Sequence, residues 1–254
     1  EIEEESIEEN VADQTGSFGQ QELPQDDSGV VDLNEDKSNV EVDASTAIPL
    51  SPPLERGETG DLPASINLAV PFTSQAPHAN WDYPYKATCE EASVYMVHRY
   101  YEGEPEGLIN ADKADTDILS IVAFEEGLFG YYEDTTAEQT GVFTELMFGY
   151  SGIDLIENPT VDQIKEQLAD GRPVIVPAAG RLLGNPYFTA PGPIYHMLVI
   201  RGYTEDDQFI VNDPGTYRGE AYLYDFDTLM NAMHDWNNGD EITEGRKVVL
   251  IINP

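Results

Sequence analysis

Two hydrophobic periods run along this sequence of 254 residues, and they come one after the other. Apolar residues three and four apart predict a helix beginning near Cys89 and further helices over about 115–126, 137–149 and 161–169, the last capped by Thr160. Beyond residue 170 the runs become short and β-branched: "PVIVPA", "HMLVIRGY", "QFIVND" and "KVVLIIN" predict strands, interrupted by one helix over about 225–235. A chain that alternated the two patterns would build crossover units around a parallel sheet. Helices followed by strands predict an α+β fold, its N-terminal helical half packed on an antiparallel sheet.

This patterning begins at Ile66 with the strand-like run "INLAVPF". Residues 1–65 hold eighteen Asp and Glu against Lys37 and Arg56, almost no aromatic residue and no sustained period, which is the composition of an acidic disordered tail or linker. Its last part, "PLSPPLERGETGDLPAS", reads as a stalk or spacer. The chain therefore divides into a tail, 1–65, and one folded domain, 66–254.

Charge narrows the partners. The tail carries −16 of the net −37, which leaves −21 on the domain. Nucleic acid is excluded as a partner, because phosphate contacts need clustered Lys and Arg. An anionic membrane surface is disfavoured for the same reason, and no run approaches the roughly 18 apolar residues of a transmembrane segment. The sequence carries no signal for an oligomeric state. It begins at Glu1 with neither Met nor a signal peptide, as a mature or excised form would. With the acidic stalk, this points to an exported bacterial protein, secreted or on the cell surface.

The only cysteine lies in "YPYKATCEEASVYMVHRYYEG", where a loop becomes a helix. Thr88 stands at the N-cap position, Glu90 and Glu91 suit a first turn whose dipole favours negative charge, and Ala92, Met96 and Tyr100 form an apolar stripe. A thiol is a nucleophile only as thiolate, and a helix N-terminus and a nearby imidazolium are two common ways to lower its pKa. Without a base, Cys89 reads as a small apolar core residue.

Four histidines are available. His98, nine residues along the same helix, is turned about 900° from Cys89 and faces away. His234 falls late in a predicted surface helix and reads as a solvated charge. His78 lies in the loop before Cys89, where it would line a cleft. His196 opens the strand "HMLVIRGY", which returns through "TEDD" into "QFIVNDPG". If that hairpin is antiparallel, His196 and Asp213 lie on paired strands near the same end, within diagonal reach, and a carboxylate beside an imidazole fixes its tautomer. Gln75, fourteen residues before Cys89, sits in a loop that would lead its amide back to the helix start, where it and the Cys89 N–H would offer two donors to an oxyanion.

In this order and at these spacings, "VPFTSQAPHANWD", "CEEAS", "GNPYFTAPGPIYHMLVIRGY" and "FIVNDPGTYRGEAY" resemble the papain-like cysteine peptidases of the bacteriocin-processing type, in particular the stand-alone C39-like domains of bacterial surface and secreted proteins. The resemblance covers about residues 66–254. It implies a papain-like fold, with Gln75 at the oxyanion hole, Cys89 as nucleophile, His196 as base and Asp213 as its orienter. Many members carry Gly-Pro after the cysteine where this chain has Glu90 and Glu91, and carboxylates there oppose thiolate formation.

The function expected is that of a cysteine peptidase acting through a thioester on a peptide or related amide, cross-links of peptidoglycan included. A catalytically silent peptide-binding module of the same fold is the alternative. Trp81, Tyr187 and Phe188 are candidate walls of a substrate cleft, with His78 beside them. "NADKADTD" at 110–117 lacks the glycine and terminal Glu of a calcium loop and reads as a helix cap. With no zinc spacing, phosphate loop or dinucleotide motif, no metal and no cofactor are expected.

Overall fold

A computed structural model describes residues 62–239 and 241–254. The expected tail, 1–65, lies outside the described residues up to position 61. The domain's own contacts begin slightly before Ile66, since the Tyr203 hydroxyl donates to the Pro63 carbonyl at 2.6 Å.

Helices come first. α1 (Cys89–Tyr101), α2 (Ala111–Phe129) and α3 (Ala137–Phe148) precede β2 (Gly152–Glu157), while β1 (Ile66–Asn67) is all that forms of the strand expected over 66–72. Then follow α4 (Val161–Ala169), β3 (Val174–Ala179), β4 (Tyr195–Tyr203), β5 (Gln208–Asn212), β6 (Tyr222–Asp225), α5 (Phe226–Ala232) and β7 (Val248–Asn253). The ends follow local chemistry. Asn110 accepts from the Lys113 N–H at the start of α2, so 110–117 is a capped helix start. Thr136 with Gln139, and Thr160 with Gln163, form capping boxes on α3 and α4. Gly130 and Gly149 end α2 and α3 in the left-handed conformation that glycine adopts without strain.

The strands form one antiparallel sheet in the order β2-β7-β3-β4-β5-β6, with β1 added to β4. The fold is thus α+β, as the patterning predicts. Every residue of β3 and of β4 is buried. Such strands show no alternation, which is why their sequences read as continuous apolar runs. α1 lies against β4, while α4 and α5 pack against β3, β4 and β5.

β2 and β6 are not foreseen by the sequence. β2 is half-buried with exposed Asp154 and Glu157, so its period is weak, and β6 is only four residues long at the sheet edge. β4 carries a register shift between Ile200 and Gly202. Beyond it β1 pairs with Gly202, approaching so closely that a Cβ there would lie 2.1 Å from the Ile66 carbonyl oxygen. The shift admits Arg201 as a fully buried side chain, which donates to the Val70 carbonyl and pairs with Glu106.

Candidate active site

The first nine residues of α1, Cys89 to Val97, are all buried. This changes the expected surroundings of Cys89 in two ways. Thr88 occupies the N-cap position but accepts no helix N–H; its hydroxyl donates to the Gln75 and Tyr85 carbonyls, both at 3.2 Å. Glu90 and Glu91 lie in the first turn, as the dipole argument requires, yet they face the interior and not solvent. The reason is tertiary: the start of α1 is covered by β4, α2 and the segment around Thr135.

Cys89 Sγ donates to Glu90 Oε2 at 3.1 Å, and the Met197 backbone lies near the sulfur. Burial, and after it the carboxylates of Glu90 and Glu91, push the thiol well above its ordinary pKa, while the Met197 amide acts the other way. Burial also raises Glu90 to about 8, with Asp134 adding to the effect. Glu90 is the acceptor in its bond with the thiol, so it holds the proton on sulfur. Glu91 and Glu125 face each other deeper in the core, and neither has a conventional donor. A hydrogen bond between two carboxyls exists only while one holds a proton. Burial raises both, Glu125 to about 9.

Met197 follows His196 on β4, so the strand that packs against α1 also carries the histidine. The hairpin pairs Val199 with Asn212 and Ile200 with Val211, which leaves His196 and Asp213 at the same end. His196 Nε2 lies 2.7 Å from Asp213 Oδ1, and both residues are buried. Nδ1 is then the nitrogen left for proton exchange. Asp213 Oδ1 also accepts from the Gly215 N–H at 3.0 Å, and Oδ2 accepts from Asn185 Nδ2 at 3.1 Å and the Tyr224 hydroxyl at 2.7 Å. Burial alone would lift this carboxyl; the His196 ring beside it and the bonds from His196, Tyr224 and Gly215 hold it below the ordinary range.

Asn185, Gly215 and Tyr224 escape the sequence reading. Asn185 lies in the quoted loop "GNPYFTAPGP", and Tyr224 alternates with Tyr222 in "YLYD", a period-2 signal too short to stand out. Gly215 is a close-approach glycine: a Cβ there would lie 2.8 Å from Phe188 Cε1 and 2.9 Å from His196 Cε1.

Gln75 reaches the start of α1, because its own N–H donates to the Pro214 carbonyl at 3.0 Å and its carbonyl accepts from Thr88. Its side chain differs from the expectation. Gln75 Nε2 donates to the Tyr85 carbonyl at 2.9 Å and the Lys86 carbonyl at 3.2 Å, so it ties down the 3-10 turn Tyr85–Ala87 before Cys89.

The aromatic candidates divide. Phe188 stands edge-on to His196 with ring centres 5.4 Å apart. Trp81 meets Tyr217 edge-on at 6.0 Å, and the Tyr217 hydroxyl donates to the Ala76 carbonyl, which closes the Gln75 loop onto the loop after Asp213. Tyr187 is half-exposed against Tyr222. His78 faces Asp112 at 3.2 Å. His98 bonds Tyr150 and stacks on Phe148. His234 corrects the expectation of a solvated charge: α5 ends at Ala232, and His234 is buried with Nδ1 2.8 Å from the Gly245 carbonyl oxygen. Among the described residues no cluster of His, Cys, Asp and Glu has the form of a metal site. No helix among them is long and apolar enough to cross a membrane.

Comparison with known proteins gives three kinds of finding. The profile of the Peptidase_C39 like family matches residues 67–241. A search of the curated proteins finds no match. Among solved structures, a protein described as a C39-like peptidase from Bacillus anthracis is 12% identical over 75% of this chain and 98% of that one, with a TM-score of 0.48. Prevotella intermedia prointerpain A is 14% identical over 80% and 76%, with a TM-score of 0.49. The active interpain A cysteine protease of the same organism is 14% identical over 78% and 98%, with a TM-score of 0.45.

Proposed function

Since the chain belongs to the peptidase C39-like family and is a cysteine-type peptidase with a peptide or protein as substrate, we propose that Cys89, His196 and Asp213 are its catalytic triad. The observation that carries this reading is the 2.7 Å bond between His196 Nε2 and Asp213 Oδ1, with His196 on β4, the strand that packs against α1 and its first residue Cys89. His196 Nδ1 takes the thiol proton, and Asp213 balances the charge the ring gains. The thiolate attacks the amide carbonyl, and the tetrahedral oxyanion forms at the N-terminus of α1, where helix N–H groups lack intrahelical partners. The Cys89 N–H is one donor. Gln75 becomes the second by exchanging its longer bond, to the Lys86 carbonyl, for the oxyanion. His196 then protonates the leaving amine, and water, deprotonated by the same ring, hydrolyses the thioester.

In the resting enzyme the thiol is neutral and hydrogen-bonded to Glu90. Formation of the thiolate depends on His196 and breaks the thiol's bond to Glu90. Residues 1–65 are an acidic tail or linker, its last part, 49–65, a stalk or spacer, on an exported bacterial protein, and nucleic acid is not a partner of so acidic a chain.

The test is alkylation of Cys89 by iodoacetamide from pH 4 to 9, read by intact mass, with His196→Ala in parallel and peptide hydrolysis followed in both. Labelling of the parent below pH 7 that collapses in the variant, together with loss of hydrolysis, is expected. Equal slow labelling in both proteins with no hydrolysis would return the reading to a silent binding module, which the contact between the thiol and Glu90 favours.

A further inference from the structure

The loop that carries Asn185 and Phe188 also walls a cavity beside the His196–Asp213 pair, lined in addition by Arg181, Pro186 and Pro191. Gly180 packs against His196, since a Cβ on it would lie 3.2 Å from the Cβ of His196. Arg181 is thus one residue from backbone in contact with the base, and its Nε lies 3.4 Å from the Gly192 carbonyl oxygen. On the other flank, the Arg218 guanidinium sits 4.8 Å from the centre of the Tyr187 ring, and its backbone N–H is held by Thr216 Oγ1. The loop between is held by its own bonds: Tyr187 N–H to Asn185 Oδ1, Phe188 N–H to the Asn185 carbonyl, and Gly192 N–H to the Thr189 carbonyl.

Both arginines are exposed. In a chain with 49 Asp and Glu against 12 Lys and Arg, a free guanidinium is unexpected. Among the described arginines, Arg99, Arg172, Arg201 and Arg246 pair with carboxylates, whereas neither Arg181 nor Arg218 makes an ion pair among the described residues. An arginine cannot be neutralised by proton loss, and its planar fork matches a carboxylate. Phe188 lies between the two segments that carry the arginines: its Cδ2 faces Gly192, which packs on Arg181, and its Cε1 faces Gly215, three residues before Arg218, whose guanidinium covers the Tyr187 ring.

We propose that Arg181 and Arg218, on either side of Tyr187 and Phe188, form a carboxylate-binding subsite that selects peptides with an acidic group beside the bond presented to Cys89. This inference rests on the peptidase reading. The carboxylate is supplied by an Asp or Glu side chain or by a free C-terminus, two sources with one chemistry.

The experiment is calorimetric titration of the full chain bearing Cys89→Ala with two pairs of peptides: Asp against Asn at one position, and a C-terminal acid against its amide. Acid members should bind about tenfold more tightly, and Arg181→Gln and Arg218→Gln should each reduce the preference about three- to fivefold. Arg172→Gln, which removes one positive charge elsewhere, should leave it unchanged. Whichever pair shows the preference identifies the source of the carboxylate. Equal affinities within both pairs, no binding of any peptide, or a preference that survives both substitutions would overturn the proposal. Because binding needs no turnover, the two readings fail separately. Acid-selective binding with a parent protein that hydrolyses nothing refutes the peptidase mechanism, and an active parent without acid preference refutes only the subsite.

Discussion

Replacing Glu125 by Gln should make this protein more resistant to unfolding at neutral and alkaline pH while changing little in acid. Glu125 and Glu91 face each other in the core, and burial pushes Glu125 from 4.5 up to about 9. At pH 7 Glu125 is therefore protonated in the folded chain and ionised in the unfolded one. A carboxyl whose folded pKa lies above its unfolded value contributes stability that is fully present below the unfolded value and lost as pH rises through the folded one. Between pH 4.5 and 7 that loss amounts to about 3 kcal/mol for one such group. Glutamine does not titrate, and its amide still offers Glu91 a donor. Urea unfolding of the parent and of Glu125→Gln from pH 4.5 to 8.5 measures the difference. The parent's unfolding free energy should fall with pH more steeply by about 1.4 kcal/mol per unit, one proton's worth, and the variant should be the more stable protein at pH 8. Parallel curves would refute the reasoning, because they would mean that Glu125 ionises in place and that no proton is held between the two carboxyls.

Three further outcomes follow from contacts around the site. Tyr224→Phe removes one hydroxyl donor from Asp213 Oδ2; the loss of a hydrogen bond to a charged group should lower kcat about tenfold, with little change in KM in steady-state peptide hydrolysis. Gly215→Ala places a methyl where His196 Cε1 and Phe188 Cε1 already sit, so activity should fall at least about a hundredfold, and His196→Ala combined with it should cost little more. Gly202→Ala drives a Cβ into the Ile66 carbonyl; it should destabilise the domain by about 3 kcal/mol and release β1, read as faster amide exchange at Asn67 and Leu68.

Wherever a contact is local in sequence, the chain itself determined the outcome. The capping residues Thr160 and Thr136 with their Gln partners, the hairpin through "TEDD" and the uninterrupted runs of β3 and β4 are short-range chemistry, and each element formed within a few residues of its expected bounds. The approach of His196 to Asp213 was legible for the same reason, as the two are neighbours across a single hairpin. What the tertiary structure alone decided concerns groups whose partners lie far along the chain. The sequence places Glu90 and Glu91 in a first helical turn; only the burial of α1 beneath β4 and α2 turns them inward and raises both carboxyls beside the thiol. Gln75 is near Cys89 in sequence, but the direction of its amide depends on the turn Tyr85–Ala87 and on Pro214, about 140 residues away. The cage of Asn185 and Tyr224 around Asp213 likewise joins a loop to an edge strand. Short-range geometry is set by backbone preference and local hydrogen bonding, whereas the charge state of a group is set by whatever covers it, and that is known only once the whole chain has packed.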